Sequence, residues 1–291
     1  MRTTAVGLNY IDTYHRRGIY PLPLPSGLGV EAAGAVEEIA EGVSEFRPGD
    51  RVATFGPALG AYATQRNVEA ASLFKLPEDI SDELAAAALL KGCTAEFLAD
   101  RAARIAPGDW TLVHAAAGGV GMILVQWLKA RGARVIGTVS TEEKAQAARE
   151  AGAEEIVLYT REDTARRVRE ITGGQGVRVT YDGIGADTWE ASLDSTGMRG
   201  LIVSYGNASA PVTGSLGILA PKGSLYNTRP MLYHYYADPA EREAGAQSLW
   251  NMIRSQAVSV TVGQRYPLED ADTAHRDLEG RKTTGSTLLL P

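Results

Sequence analysis

The sequence has a single cysteine, Cys93, among its 291 residues. An internal disulfide is therefore excluded, and the composition is typical of a protein that stays in a reducing cytoplasm. The four histidines, His15, His114, His234 and His275, are far apart in the chain and lack the spacing of zinc ligands. We expect no bound metal.

Positive charge is not in excess either, since 29 Lys and Arg against 35 Asp and Glu give a formal net charge of −6. This balance provides neither the basic surface of a nucleic-acid-binding protein nor a polybasic membrane patch. No apolar run reaches transmembrane length, and the N-terminus lacks the apolar segment of a signal peptide. What the chain does have is 44% hydrophobic residues, enough for one large or two moderate domains.

The most informative segment is a run of small residues between a predicted strand and a predicted helix. The strand covers Trp110 to His114, the turn reads Ala115-Ala116-Ala117-Gly118-Gly119-Val120-Gly121, and the helix continues through Leu128. Small residues let backbone N–H groups approach a pyrophosphate, and the helix N-terminus adds partial positive charge. Such a turn also allows close packing of helix on sheet, but the strand–turn–helix context is the one that a dinucleotide site requires. It predicts that the segment from Ala117 to Gly121 binds a dinucleotide.

The end of the next predicted strand, Ala133 to Val139, bears on which dinucleotide binds. No carboxylate stands at its tip, where one would bind the ribose hydroxyl of NAD and repel a 2′-phosphate. Ser140 and Lys144 follow instead, and they favour NADPH, although Glu142 and Glu143 oppose it electrostatically. Ser140 with Glu143 also fits a helix capping box, and Lys144 could be an ordinary solvated lysine.

Strand and helix patterns alternate from Gly92 to Ser255, which predicts a doubly wound parallel α/β sheet of the Rossmann type. The predicted strands are Glu155–Leu158, Val177–Tyr181 and Leu201–Ser204, and the predicted helices are Glu142–Glu150 and Thr164–Ile171. Gly183 and Gly206 fall at strand ends, where they would allow close approach of a cofactor or serve only as turn residues.

The first 90 residues have a different pattern, with short strand signals at Gly34–Ile39, Arg47–Val52 and Ala61–Thr64 between glycine and proline turns. They predict a mostly antiparallel β domain. Residues 258–291 have strand, helix and strand character, and we expect the last strand, Ser286–Leu290, to rejoin this domain. The predicted division is a β-rich domain of residues 1–91 and 256–291, and a dinucleotide-binding domain of residues 92–255.

This organisation resembles the medium-chain dehydrogenase/reductase superfamily and, within it, the zinc-independent, ζ-crystallin-like NADPH:quinone reductases. The resemblance covers essentially the whole chain, and the β domain would then be GroES-like. Besides the glycine turn, the segments that carry the resemblance are Gly7–Tyr14, Pro25–Gly34, Leu90–Thr94, Lys222–Tyr226, Thr228–Pro230 and Thr284–Ser286.

The zinc alcohol dehydrogenases of this superfamily hold a catalytic metal through Cys, His and Cys. The matching positions here are Asn9, Val30 and Leu90, and Cys93 is out of place. An amide, a valine and a leucine do not bind zinc. Without a Lewis acid alcohol oxidation is disfavoured, whereas the carbonyls of a quinone are already electrophilic.

The resemblance also implies residue roles. Asn9, Asp12, Tyr14 and Tyr20 would line the cleft between the domains beside the nicotinamide, with Asn9 or Tyr14 hydrogen-bonded to the acceptor oxygen and Tyr20 as an aromatic wall. Alternatively, Asp12 is only a turn or cap residue and the two tyrosines are core aromatics.

The cofactor contacts that the resemblance implies are spread over both predicted domains. They are Thr94, Ala117, Gly118, Ser140, Lys144, Tyr159, Gly183, Tyr205, Asn207, Leu232 and Arg281. Tyr159 would pack near the adenosine phosphate, and Arg281 would pair with phosphate charge. His114 is interpreted as a satisfied buried histidine, and Trp127 and Trp189 as core residues.

The resemblance therefore implies a cytoplasmic, homodimeric NADPH-dependent quinone reductase joined through its dinucleotide-binding domains. One alternative is an NADPH-dependent enone or alkenal double-bond reductase. Another is a nucleotide-binding protein without enzymatic activity, including an RNA-associated one, which the acidic charge disfavours.

The start of the chain is the one departure from the family pattern. Family members have about thirty more residues, or several average strands, before the segment matching Val6–Asp12. We expect a chain that starts at Met1 to expose a sheet edge, to be less stable and to associate readily, with its nucleotide fold retained.

Overall fold

The computed structural model describes residues 1–291, and they form two compact units: Met1–Lys91 with Val260–Pro291, and Gly92–Ser259. The strands are β1 (Arg2–Leu8), β2 (Glu31–Ala35), β3 (Arg51–Phe55), β4 (Phe74–Lys75), β5 (Trp110–Val113), β6 (Arg134–Val139), β7 (Glu155–Leu158), β8 (Val177–Asp182), β9 (Thr196–Ser204), β10 (Tyr226–Thr228), β11 (Val262–Pro267) and β12 (Ser286–Leu290). The α-helices are α1 (Tyr10–Arg16), α2 (Asp82–Glu96), α3 (Gly119–Ala130), α4 (Glu142–Ala151), α5 (Thr164–Ile171), α6 (Trp189–Ser195), α7 (Leu232–Tyr235), α8 (Pro239–Arg254) and α9 (Ala271–Glu279).

The first unit, formed by both ends of the chain, contains a six-stranded sheet in the order β11-β12-β1-β2-β3-β4. Every neighbouring pair is antiparallel except β11 and β12, which confirms the prediction of a mostly antiparallel β domain. Val6 of β1 lies opposite Leu289 of β12 and Ala32 of β2, and all three side chains are buried in the core. The C-terminal strand therefore rejoins the first sheet, as predicted.

Three strand predictions in this unit need correction. The first two strands are displaced along the chain: Gly34–Ile39 overlaps only the end of β2, and Arg47–Val52 only the start of β3. The third, Ala61–Thr64, is wrong. The N–H groups of Ala61 and Tyr62 donate to the carbonyls of Gly29 and Leu28, at 3.1 Å each, in a loop contact rather than a strand ladder.

Helix α1, which the β-rich pattern did not predict, carries several of the predicted site residues. Asn9 precedes it with an extended backbone, at φ −131° and ψ 154°. The backbone N–H of Asn9 donates to Oδ2 of Asp12 at 2.9 Å, which is half of a capping box. Asp12 therefore has a capping role, and this bond fixes where the helix begins.

The second unit contains a six-stranded, entirely parallel sheet in the order β10-β9-β8-β5-β6-β7. This is the doubly wound Rossmann order, so the predicted fold class is confirmed. The core at the centre of the sheet is formed by buried Leu112, Ile136, Val157, Val168 and Val177. The carboxyl ends of all six strands meet at one edge, where such folds bind their ligands.

Two local predictions in this unit are wrong. Helix α4 is capped by Thr141, whose Oγ1 accepts the N–H of Lys144 at 3.3 Å, so Ser140 is not the capping residue. Trp189 is only half-buried, against the edge of a small cluster, whereas Trp127 is fully buried as predicted. None of the helices combines the length and the apolar character needed to cross a lipid bilayer.

Candidate functional site

The turn between β5 and α3 has the geometry of an anion-binding loop. Ala115 has a φ of 52°, which reverses the chain, and the N–H of Ala116 donates to Thr138 on β6 at 3.1 Å. Helix α3 then begins after Gly118, which has an extended backbone and no side-chain cap. The first N–H groups of the helix are thus left without side-chain acceptors, which is the arrangement that binds phosphate.

The turn needs small residues because its backbone segments pack closely against each other. A Cβ atom on Gly121 would overlap the carbonyl oxygen of Ala115, and one on Gly118 would lie 3.2 Å from the same oxygen. Ala117 is buried, and the side chain of Val120 is half-buried. The residues present therefore fit a dinucleotide whose pyrophosphate lies against backbone N–H groups.

The ends of β6 and β7 bring three more predicted cofactor residues to the same edge. Ser140 directly follows β6, Lys144 lies in the first turn of α4, and Tyr159 directly follows β7 with 37% of its surface exposed. The carbonyl of Ser140 accepts the hydroxyl of Thr160 at 3.0 Å, so the two strand ends are joined. A hydroxyl, a lysine and an exposed aromatic ring suit an adenosine with a 2′-phosphate.

The ends of β8 and β9 lie close together. The N–H of Tyr205 donates to the carbonyl of Asp182 at 2.8 Å, and a Cβ on Gly183 would lie 2.8 Å from the Tyr205 ring. Asn207, two residues further, is buried. Gly183 thus has a packing role, because a larger residue would displace the Tyr205 ring from this position.

Beside these strand ends lies a cavity of about 300 Å³. Its polar lining includes Ser204, Asn207, Asn227 and Arg229. Nη1 of Arg229 donates to the carbonyl of Ser204 at 2.6 Å, so the guanidinium is fixed at the carboxyl end of β9. The segment Thr228–Pro230 is one of those that carry the family resemblance, but no role was predicted for Arg229. A single arginine after a short strand carries no local signal of function.

His114 is a satisfied buried histidine, as predicted. Its two ring nitrogens lie 3.1 Å from the hydroxyls of Thr138 and Ser192, and burial lowers its pKa. The Ser192 hydroxyl in turn donates to the buried carboxylate of Asp182 at 2.6 Å. This network fixes the end of β8 and leaves His114 no free nitrogen for catalysis.

Three of the predicted cofactor residues do not lie at the strand ends. Thr94 is buried on α2, and Leu232 is the first residue of α7. Arg281 belongs to the first unit, in the turn after α9, with a left-handed φ of 59°.

Helix α1 brings together the four residues predicted to face the substrate. Asn9, Asp12 and Tyr14 are buried, and Tyr20 is half-buried, with its ring centroid 5.3 Å from that of Tyr14 in an edge-on arrangement. An edge-on aromatic pair at this distance is attractive and holds both rings in place. The aromatic pair and the two polar residues thus lie on one short helix, at the residue before it and in the turn after it.

A buried carboxylate that sequence reasoning missed lies against Asn9. The side chain of Glu31 accepts three donors: Asn9 Nδ2 at 2.7 Å, Leu90 N–H at 2.7 Å and Lys91 Nζ at 3.2 Å. Asn9 and Leu90 are two of the positions that match zinc ligands in the alcohol dehydrogenases, and here both donate hydrogen bonds to Glu31. The third, Val30, is buried and apolar.

Asp12 is the most perturbed carboxyl group of the first unit. Burial raises its pKa to about 7, against the opposing hydrogen bonds from Asn9 and Tyr62. The hydroxyl of Tyr62 donates to Asp12 Oδ2 at 3.2 Å and lies 2.8 Å from Nε2 of His275. Neither Tyr62 nor His275 was predicted, because they come from a loop and a helix 213 positions apart in the chain.

The loop, the parallel sheet and the separate β unit together define a dehydrogenase or reductase that uses a nicotinamide dinucleotide. Two family models match the chain: the alcohol dehydrogenase GroES-like domain over residues 1–78 and the zinc-binding dehydrogenase domain over residues 119–251. No group of three or more His, Cys, Asp and Glu side chains is arranged to hold a metal ion.

Comparison with known proteins shows to which family of these dehydrogenases and reductases the chain belongs. Quinone oxidoreductase 1 of Escherichia coli K12 is 51% identical over 291 residues, which cover 99% of this chain and 89% of that protein. The crystal structure of the Escherichia coli quinone oxidoreductase complexed with NADPH superimposes with a TM-score of 0.97 at 51% identity, covering 100% of this chain and 90% of that one. The 2-haloacrylate reductase of a Burkholderia species is 45% identical over 303 residues, covering 100% of this chain and 90% of that protein. The chain belongs to the quinone oxidoreductase family of the medium-chain dehydrogenase/reductase superfamily.

Proposed function

We propose that this protein catalyses NADPH-dependent reduction of quinones without zinc. The observation that carries the proposal is that the Asn9 amide donates to the Glu31 carboxylate, and that the side chains of Val30 and Leu90 are apolar, at the positions where zinc relatives have ligands. A site without a Lewis acid suits an acceptor whose carbonyls are already electrophilic. The relative crystallised with NADPH supports the choice of cofactor.

The proposed cofactor site uses the carboxyl edge of the parallel sheet. Backbone N–H groups of the segment Ala117–Gly121 would bind the pyrophosphate, and Ser140, Lys144 and Tyr159 would bind the adenosine 2′-phosphate. Gly183, Tyr205 and Asn207 would follow the nucleotide along the strand ends, with Thr94, Leu232 and Arg281 as further contacts. When bound, NADPH supplies the reducing equivalents for the reaction.

The proposed substrate residues are those of α1 and the turn after it. Tyr14 would donate a hydrogen bond to the acceptor oxygen, and the ring of Tyr20 would pack on a flat substrate. Asn9, the other predicted donor, would act as a positioning residue, because its amide already donates to the Gly7 carbonyl at 3.0 Å and to Glu31 Oε2 at 2.7 Å. The initial rate of NADPH oxidation with a small para-quinone, measured with and without a chelator, tests the proposal. We expect turnover that the chelator does not reduce.

A second candidate function is the reduction of an activated carbon–carbon double bond. It is favoured by the 45% identity to the 2-haloacrylate reductase. A panel of para-quinones, enones and 2-haloacrylates, compared by kcat/KM, separates the two functions. A quinone that is a better acceptor than the alkenes by at least about tenfold supports the first.

We also propose that the protein is a cytoplasmic homodimer that associates through the dinucleotide-binding unit. Strand β10 is a free edge of the parallel sheet, and its Tyr226 is 63% exposed. On the neighbouring strand β9, Met198 is 79% exposed. Free backbone groups beside exposed apolar side chains favour pairing with a second copy. The single buried cysteine is consistent with a reducing compartment.

A further inference from the structure

Glu142 is the residue of the proposed cofactor site that is least suited to NADPH. It is the first residue of α4, two positions after Ser140 and two before Lys144, which are proposed to bind the 2′-phosphate. Its carboxylate would repel that phosphate. Because the N-terminal end of a helix attracts anions, the carboxylate and the phosphate would also compete for the same end of α4. A site that binds NADPH therefore needs a group that counteracts Glu142.

Arg161 is placed to be that group. Its Nη1 lies 3.4 Å from Oε1 of Glu142, and both side chains are largely exposed. The two residues follow different strands, since Glu142 comes after β6 and Arg161 after β7. The pair thus connects two neighbouring strand ends at the carboxyl edge of the parallel sheet. It draws the carboxylate of Glu142 toward the turn after β7.

The turn that carries Arg161 is held in place by its backbone. The N–H groups of Arg161 and Glu162 both donate to the carbonyl of Leu158, at 2.8 and 2.9 Å. The N–H of Leu158 in turn donates to Oε1 of Glu162 at 2.9 Å. The hydroxyl of Thr160 donates to the carbonyl of Ser140 at 3.0 Å. The guanidinium therefore extends from a backbone that is fixed relative to the end of β6.

The neighbouring charged side chains of this segment pair with one another. Glu162 lies 3.8 Å from Arg167, and Arg166 lies 3.7 Å from Glu170 one turn along α5. Arg161 is therefore the cation of the segment that pairs with α4.

We propose that Arg161 is a positioning residue that sets the preference of this protein for NADPH over NADH. By pairing with Glu142 it holds the carboxylate toward the turn after β7 and leaves the N-terminal end of α4 to the 2′-phosphate. The inference rests on the proposed function, and specifically on its cofactor site. NADH has a hydroxyl in place of this phosphate, so its binding does not depend on the pair.

The affinities for NADPH and NADH, measured by fluorescence titration of the protein, test the proposal. Arg161→Ala releases the carboxylate of Glu142 and should weaken NADPH binding about fivefold, the effect of one exposed unit charge on another at about 4 Å, with NADH binding unchanged. Arg166→Ala is the charge-matched control, because Arg166 is exposed in the same segment but pairs with Glu170. It should change neither affinity. An unchanged NADPH affinity in Arg161→Ala, or equal losses for the two nucleotides, would overturn the proposal.

Glu142→Gln separates positioning of the carboxylate from direct attraction between Arg161 and the phosphate. If Arg161 acts through Glu142, adding Glu142→Gln to Arg161→Ala should restore the NADPH affinity of the wild type. Glu143→Gln is the control, because Glu143 is exposed in the same turn of α4 but lies outside the pair. Its effect should be the same with and without Arg161. A double variant that still binds NADPH fivefold more weakly would contradict the positioning role, and so would an effect of Glu142→Gln that does not depend on Arg161.

The wild type and Lys144→Ala separate failure of this inference from failure of the proposed function. A wild type that binds NADPH no more tightly than NADH contradicts the proposed cofactor site, and the role of Arg161 with it. A wild type that prefers NADPH, and loses the preference in Lys144→Ala but not in Arg161→Ala, contradicts the role of Arg161 alone.

Discussion

At the scale of single residues, the buried ion pair of Lys91 and Glu31 holds the Asn9 side chain in position at the start of α1. Both side chains are buried, 5% and 0% exposed, with Nζ and Oε2 at 3.2 Å. Asn9 donates to the same Glu31 oxygen, so the position of its amide depends on the charge balance of the pair. Removing one partner of such a pair is expensive because it leaves a buried charge without compensation.

Lys91→Met should therefore destabilise the protein by about 3–5 kcal/mol, measured by urea unfolding. The matched control is Lys75→Met, which removes an exposed lysine that lies 3.8 Å from Asp50. This control should leave the unfolding midpoint unchanged within error, as is usual for surface pairs. Equal midpoints for the two variants would contradict the account of the Glu31 cluster.

Single residues also mark the limit of what the sequence predicts. The glycine turn is recognisable because its small residues, strand and helix are adjacent in the chain. Tyr62 and Glu31 carry no comparable signal, since their partners Asp12, His275 and Lys91 come from distant segments. Only the folded β unit brings these groups together.

At the scale of secondary-structure elements, the sequence predicts best where an apolar stretch ends at turn or cap residues. The bounds of β7, α5 and β12 agree with the prediction. Asp163, for example, caps α5 by accepting the N–H of Arg166 at 2.7 Å. Residues 61–64 alternate like a strand, but the carbonyls of Gly29 and Leu28 accept the N–H groups of Ala61 and Tyr62, and nothing local reveals that competitor.

The connection from β6 to α4 is the element proposed to select NADPH over NADH. Lys144→Ala should weaken NADPH binding about tenfold or more and leave NADH binding unchanged, because a hydrogen bond to a charged group is worth about 1.5–3 kcal/mol. Fluorescence titration with both nucleotides measures this. Arg149→Ala, an exposed cation in the last turn of the same helix, is the control and should leave both affinities unchanged. Equal losses for NADPH and NADH in Lys144→Ala would contradict the assignment.

At the scale of the whole molecule, the free edge of the parallel sheet predicts the oligomeric state. Sedimentation equilibrium should give a mass of two chains, and Tyr226→Glu with Met198→Glu should shift the protein toward the monomer. Leu24→Glu is the control, since Leu24 is an 85% exposed apolar residue in the first unit. A monomeric wild type, or dissociation by the control alone, would contradict association through β10.

The central claim for the whole molecule is zinc-free, NADPH-dependent quinone reduction. It is tested most directly by following NADPH consumption and hydroquinone formation together in protein freed of metal by a chelator. The account predicts one hydroquinone for each NADPH, with a rate that added zinc does not increase. A metal-free protein that consumes no NADPH until zinc is restored would contradict it.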